Sequence, residues 1–313
     1  MKTITRGGRT TTVPVGSLMS MFDPIYFGID EYGHPVWLPL IYKNLLTGGE
    51  PGSGKSTLLT AIAAHVALCT DARLVLLDAK LVELGLWRDV ADEFVGPDIT
   101  AAITLLKRLQ RVLDNRYAML LSQQRRKIDR FDNLSVIVVM IDELAAYTTT
   151  YGSKAEQELF AALLRDLVAR GRACGIVVIA ATQRPSGADN PPIIPASLRD
   201  IFAYRAAFRC TTDDSSDLIL GRGWASQTYT AAKILPANPG VGLLLAEGGT
   251  PYLFKAPYMT DDQIQALVDY AAWTRGVNTN AIHNRADHNT VDNTVDKADH
   301  KADEPGTGLE AAA

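Results

Sequence analysis

The run Gly49-Glu50-Pro51-Gly52-Ser53-Gly54-Lys55-Ser56 (GEPGSGKS) decides the reading of this 313-residue chain. It fits the pattern G-x-x-x-x-G-K-[ST], and its flanks supply the context that pattern needs. NLLTG (44–48) before it reads as a short buried strand, and STLLTAIAAHVAL (56–68) after it is apolar at helical spacing. Three glycines, Gly49, Gly52 and Gly54, let the backbone wrap closely around phosphate with its N–H groups turned inward. The start of the following helix adds its positive dipole end. Lys55 would reach the β- and γ-phosphates and the Ser56 hydroxyl would ligate Mg²⁺. Glu50, Pro51, Ser53 and Thr57 complete the candidate nucleotide-binding segment.

Outward from that loop, apolar runs of strand length alternate with helical patterns. The runs are ARLVLLDA (72–79), SVIVVMIDE (135–143), GIVVIAATQ (175–183), FAYRAAFRC (202–210) and GVGLLLAEG (240–248). PIYFGI (24–29) and PVWLPL (35–40) flank the turn signal DEYGH and predict a hairpin. Helices are expected over 99–128, 155–173 and 260–276, the last with Thr260 and Gln263 spaced as a capping box. Wholly apolar strands separated by helices imply an α/β fold, a mostly parallel sheet with helices on both faces.

In such a sheet, ligands sit beyond the C-terminal ends of the strands. VIVVMI therefore delivers Asp142 and Glu143 to the rim where Lys55 should lie. Asp142 would hold Mg²⁺ through water, and Glu143 would polarise an attacking water, which makes the expected chemistry hydrolysis. GIVVIAATQ ends in Thr182 and Gln183, and Gln183 at a strand tip could sense the γ-phosphate and report to the loop at 184–186. The expected catalytic set is Glu143, Lys55 and Gln183, with Ser56 and Asp142 on the metal.

Composition fits a globular protein, 47% hydrophobic and 21% charged. No apolar run approaches the roughly 18 residues of a membrane span, and the first 20 residues lack an apolar leader. Cys69, Cys174 and Cys210 are far apart and odd in number, which argues against a disulfide framework. The expectation is a cytoplasmic protein, associated with membrane only through partners. Residues 1–24 read as a flexible basic arm, with Lys2, Arg6 and Arg9, and 25–276 as the ordered domain. Residues 277–313 read as a disordered acidic tail: three basic residues face seven acidic ones, and NTVD, ADH and KAD each recur. Nothing there would pre-organise His283, His288 and His300 as metal ligands. Between Leu105 and Phe131, eight basic residues face only Asp114 and Asp129. That is either a solvated helix face, a subunit interface or a contact with phosphate backbone.

Taken together, several strings resemble the FtsK/SpoIIIE family of DNA translocases. They are GGEPGSGKST, LLDAKLVEL (76–84), NRYAMLL (115–121), DELA (142–145), GRACGIVVIAATQRPS (171–186), AFRCTTDDSSDLILG (207–221) and the helix beginning MTDDQIQALVDY. The short length looks most like the FtsK-type transfer proteins (TraSA, TraB) of actinomycete conjugative elements. The resemblance implies a RecA-like P-loop fold, ATP and Mg²⁺ as cofactors, a homo-oligomeric ring of six subunits, and double-stranded DNA in its pore. Plasmid or mobile-element transfer would then involve a membrane-bound partner. Where the family places an arginine that reaches the neighbour's ATP, this chain has Asp217; Arg205, Arg209 and Arg222 are the nearest substitutes. A type VII-like protein-secretion ATPase and a non-motor DNA-binding assembly ATPase are the alternatives. The secretion ATPases usually carry several such domains and a membrane anchor.

Overall fold

The computed structural model describes residues 2–6, 9–13, 19–183, 194, 196–246 and 249–276, with the backbone alone for 2–6, 9–13 and 196. Near the N-terminus, β1 (Lys2–Arg6) and β2 (Arg9–Val13) pair antiparallel as a ribbon. From Met19 onward the chain joins the main body: Met19 bridges to Cys69, and Met21 is fully buried. The expected hairpin follows as β3 (Ile25–Asp30) and β4 (Pro35–Leu38), its turn fixed by Asp30 accepting the N–H groups of Tyr32 and His34.

The phosphate-loop unit comes next, with β5 (Leu45–Gly48) feeding the glycine loop and α1 (Lys55–Leu68) leaving it. Then come β6 (Ala72–Leu77), β7 (Glu93–Val95), α2 (Ile99–Ser122), β8 (Val136–Ile141), α3 (Lys154–Arg170) and β9 (Ile176–Thr182). The chain closes with α4 (Ala196–Arg199), β10 (Tyr204–Phe208), α5 (Asp213–Leu220), β11 (Val241–Leu245), β12 (Tyr252–Lys255) and α6 (Asp261–Thr274). Caps mark the starts of four helices, with Thr212 accepting from Ser215 N–H at α5. Asp98 accepts from Ala101 N–H at α2, and Ser153/Glu156 and Thr260/Gln263 form capping boxes at α3 and α6.

One ten-stranded sheet runs β4-β3-β12-β11-β10-β5-β9-β8-β6-β7. From β10 to β7 every pairing is parallel, and from β10 to β4 every pairing is antiparallel. The sheet is therefore mixed, with the expected parallel core extended by an antiparallel wing. Alternation along β8 divides the interior in two. Ile137, Val139 and Ile141 face a core with Leu106 and Leu109 of α2, Leu164 of α3 and Ile219 of α5. Val136, Val138 and Met140 face a second core with Ile62 of α1 and Val268 of α6. Each such side chain removed from water contributes about 1.5–3 kcal/mol, so the two layers hold the strands in register beneath the site.

The helix expected over 99–128 stops at Ser122. Gln124 and Asn133 adopt left-handed backbone, and between them Arg125 bridges Asp129 and Asp132. Ile128, fully buried, plugs the body and accepts from Tyr42 Oη at 2.6 Å through its carbonyl. The apolar period of the helix continues to Ile128, but this polar knot overrides it. The tail beyond Gly276 and the segment Arg184–Ser186 lie outside the described residues.

Candidate functional site

The glycine loop sits where β5 ends, at the centre of the parallel strands. Gly49, Gly52 and Gly54 all have positive φ, at 155°, 73° and 105°. Gly49 N–H donates to Thr182 O (3.3 Å), Glu50 N–H to Arg209 O (2.9 Å), and Gly240 N–H to Ser53 O (2.9 Å). The loop is thus pinned by β9, by the segment after β10 and by the turn before β11. A side chain at Gly49 would collide with Phe208 and Ser53, and one at Gly54 with the Gly240 backbone. Nothing stands within 4 Å of a Cβ placed on Gly52.

Not every residue of the run faces that space. The Glu50 carboxylate turns to Arg209 and Thr211. Thr57 Oγ1 donates to Gly54 O at 2.6 Å, closing the first turn of α1. Ser53 is buried and its hydroxyl has no partner among the described residues. Lys55 is 4% exposed, and burial pushes its ammonium below the usual lysine range. Glu83, Glu143 and Asp142 pull the other way, and Lys80 adds to the depression.

Asp142 follows β8 directly and is 1% exposed. Its Oδ1 accepts Ala79 N–H at 3.1 Å, while Oδ2 is buried with no partner among the described residues. Burial, and next the charge of Asp78, raise its carboxyl to about 7. An orphaned buried carboxylate oxygen is costly unless a cation comes to it. Together with the Ser56 hydroxyl at the loop, this oxygen-only donor set suits Mg²⁺, a hard cation.

Glu143 Oε1 accepts from Thr182 Oγ1 at 2.8 Å, and Oε2 from Gln183 N–H at 3.0 Å. The tip of β9 is therefore tied to the carboxylate through Thr182 as well as Gln183. Beyond Glu143 the chain enters a π-helical turn, Ala146–Thr150, with Tyr147 Oη bonded to Gly96 O at 2.8 Å. Such turns often accompany functional sites. Lys55, Asp142, Glu143 and Gln183 thus share the C-terminal rim of the parallel strands. Pattern reading of single strands overlooked Asp78 and Lys80, which also stand there, although both lie in the quoted string LLDAKLVEL.

The other expected features fall elsewhere. Five of the eight basic residues between Leu105 and Phe131 are engaged within the fold. Arg108 pairs with Glu93, Arg116 donates to the carbonyls of Cys174 and Ser135, Arg125 binds two aspartates, and Arg130 pairs with Asp23. Lys127 lies over the Tyr42 ring at 4.4 Å. Lys107, Arg111 and Arg126 have no partner among the described residues, so the positive surplus available to phosphate is small. Asp217 accepts from the N–H groups of Gly223 (2.7 Å) and Ala225 (2.9 Å), fixing the loop that carries Arg222. Arg209 is held by Glu50, and Arg205 donates to Leu220 O at 2.7 Å. A cavity of about 580 Å³ lined by Arg172, Phe202, Arg205 and Trp224 opens at the far end of β10, away from the phosphate loop.

The FtsK/SpoIIIE family model matches residues 8–136. The DNA translocase FtsK of Helicobacter pylori J99 is 27% identical over 259 residues, covering 78% of this chain and 29% of the relative. The chain thus spans under a third of that relative's length. In structure it is similar to the pCW3 conjugation coupling protein TcpA with ATPγS, at a TM-score of 0.70 and 23% identity, covering 82% of this chain and 72% of that one. It is also similar to the cytoplasmic domain of the Thermomonospora curvata type VII secretion ATPase EccC, at 0.61 and 18% identity, covering 82% and 31%. By motif and by sequence the chain is similar to the FtsK/SpoIIIE family, and its fold is that of the P-loop ATPases it matches in structure.

Proposed function

We propose that this chain hydrolyses ATP at the rim described above and uses the cycle to move double-stranded DNA, as a homo-oligomeric ring serving plasmid or mobile-element transfer. The carrying observation is the convergence at one rim of a phosphate-ready glycine loop, a buried carboxylate with an unpartnered oxygen, and a second carboxylate bonded to the adjoining strand tip. The backbone N–H groups of Gly52, Gly54, Lys55 and Ser56, together with the Lys55 ammonium, bind the phosphates. Ser56 and Asp142 hold Mg²⁺, which would screen the phosphate charge. Glu143 orients water, and Gln183 links the state of the site to the segment that follows. The name of the sequence relative, a DNA translocase, supports DNA as the substrate.

Likeness to the secretion ATPase EccC is one of fold alone, so protein export stays the second reading. No helix among the described residues is long and apolar enough to cross a membrane; a membrane-bound transfer partner is part of this proposal. Triplex displacement on linear duplex DNA tests the motor. ATP-dependent displacement is expected, and DNA binding without displacement would leave a clamp instead. At the site, Lys55→Ala should fail to bind nucleotide, and Glu143→Gln should bind without turnover. Normal hydrolysis by both variants would overturn the assignment.

A further inference from the structure

The segment Asp78–Gly85, between β6 and β7, has no role in the scheme above, yet it is built with unusual care. One fully buried carboxylate organises it. Asp78 Oδ1 accepts the N–H groups of Lys80 (3.0 Å) and Leu81 (2.8 Å), and Oδ2 those of Leu84 (2.8 Å) and Gly85 (2.9 Å). Leu81 is held at φ 64°, a left-handed conformation that a branched side chain rarely adopts. Tyr151 Oη adds a bond to Ala79 O at 3.4 Å. Strain that the surroundings over-determine tends to mark functional positions.

The winding presents two charges to the nucleotide site. Lys80 Nζ stands 3.8 Å from Glu143 Oε2, with the lysine side chain 37% exposed and the glutamate 12%. Glu83 is the foremost carboxylate acting on Lys55. One loop therefore addresses both the phosphate-binding lysine and the water-orienting glutamate.

We propose that Lys80 is a second cation for the terminal phosphate of the bound triphosphate, held by Glu143 until that phosphate arrives. At 3.8 Å the pair is loose, and a terminal phosphate offers more charge and more acceptor oxygens than one carboxylate. Transfer of Lys80 leaves Glu143 Oε2 with the Gln183 N–H alone, free to accept from water. A diphosphate, lacking the terminal group, leaves the ion pair in place. This role rests on the hydrolytic reading of the site.

Lys80→Met and Lys80→Arg in the full chain test it, with dissociation constants for ATPγS and ADP, kcat and KM for ATP, and melting without nucleotide. Lys80→Met should lose ATPγS affinity by on the order of tenfold or more, the scale of a charged hydrogen bond. ADP affinity and the melting temperature should hold, kcat should fall, and Lys80→Arg should recover most of the loss. Equal weakening of ADP and ATPγS, or an unchanged triphosphate preference and kcat in Lys80→Met, would overturn the role. Lys55→Ala and Glu143→Gln run alongside. If both lose turnover while Lys80→Met does not, only Lys80 is misassigned; if both hydrolyse ATP, the site reading itself falls and Lys80 with it.

Discussion

Gly52 and Gly54 stand two residues apart in the same loop, both at positive φ, yet alanine should act on them very differently. At Gly54, φ 105° costs an L-residue about 1–2 kcal/mol. The added methyl would also lie under 3.0 Å from the amide nitrogen and Cα of Gly240. That backbone cannot easily retreat, because Gly240 N–H bonds to Ser53 O and Gly240 O accepts from Ala256 N–H, each at 2.9 Å. Overpacking of this kind typically adds about 1–3 kcal/mol, so Gly54→Ala should destabilise by about 2–5 kcal/mol. At Gly52 nothing stands within 4 Å, and only the strain at φ 73°, about 1 kcal/mol, remains. Urea unfolding without nucleotide separates them. The midpoint should drop on the order of 1 M for Gly54→Ala and by a few tenths for Gly52→Ala. Gly52→Ala should nonetheless bind ATP more weakly if the open space beside Gly52 takes the phosphates. A Gly54→Ala protein as stable as the parent, or a Gly52→Ala protein that is the weaker of the two, would refute this reasoning.

Asp142 gives a pH dependence. Its carboxyl is raised to about 7 in the folded protein, against roughly 3.9 unfolded. Its contribution is therefore fully present below about pH 4 and is lost as pH rises towards 7. Without Mg²⁺, Asp142→Asn should be more stable than the parent at pH 8 and should flatten that slope in urea titrations. The three cysteines are buried, and burial pushes the Cys69 and Cys174 thiols up and that of Cys210 to about 12. None should react with a disulfide reagent at pH 8 until the chain unfolds. Arg222 is exposed on the loop fixed by Asp217 and has no partner among the described residues. If it acts on a neighbouring subunit's nucleotide, Arg222→Ala should lower kcat about 10³-fold or more and leave ATPγS affinity intact; an unchanged rate would remove it from that role.

Much of the site was legible because its chemistry is local in sequence. The glycine run carries its own strand and helix, and an apolar strand that ends in Asp142 and Glu143 announces which end faces the ligand. The capping box at Thr260 and Gln263 is likewise a spacing, and the structure contains it. What stayed hidden depends on tertiary placement. Asp78 collects four N–H groups only because the chain turns back on it within eight residues, and no periodicity encodes that. The basic run looked like a charged face until partners distant in sequence, Asp23, Glu93 and the carbonyls of Ser135 and Cys174, took up its arginines. The antiparallel wing was half visible: β12 is four residues long and half exposed, so its short alternation carried little signal.

The most direct test of a DNA-driven motor is the steady-state ATPase rate of the full chain with and without long duplex DNA, at one fixed salt concentration. Hydrolysis should rise severalfold with duplex DNA and vanish in Glu143→Gln. A rate indifferent to DNA, in a protein that still hydrolyses ATP, would contradict the motor and turn attention to the protein-export reading.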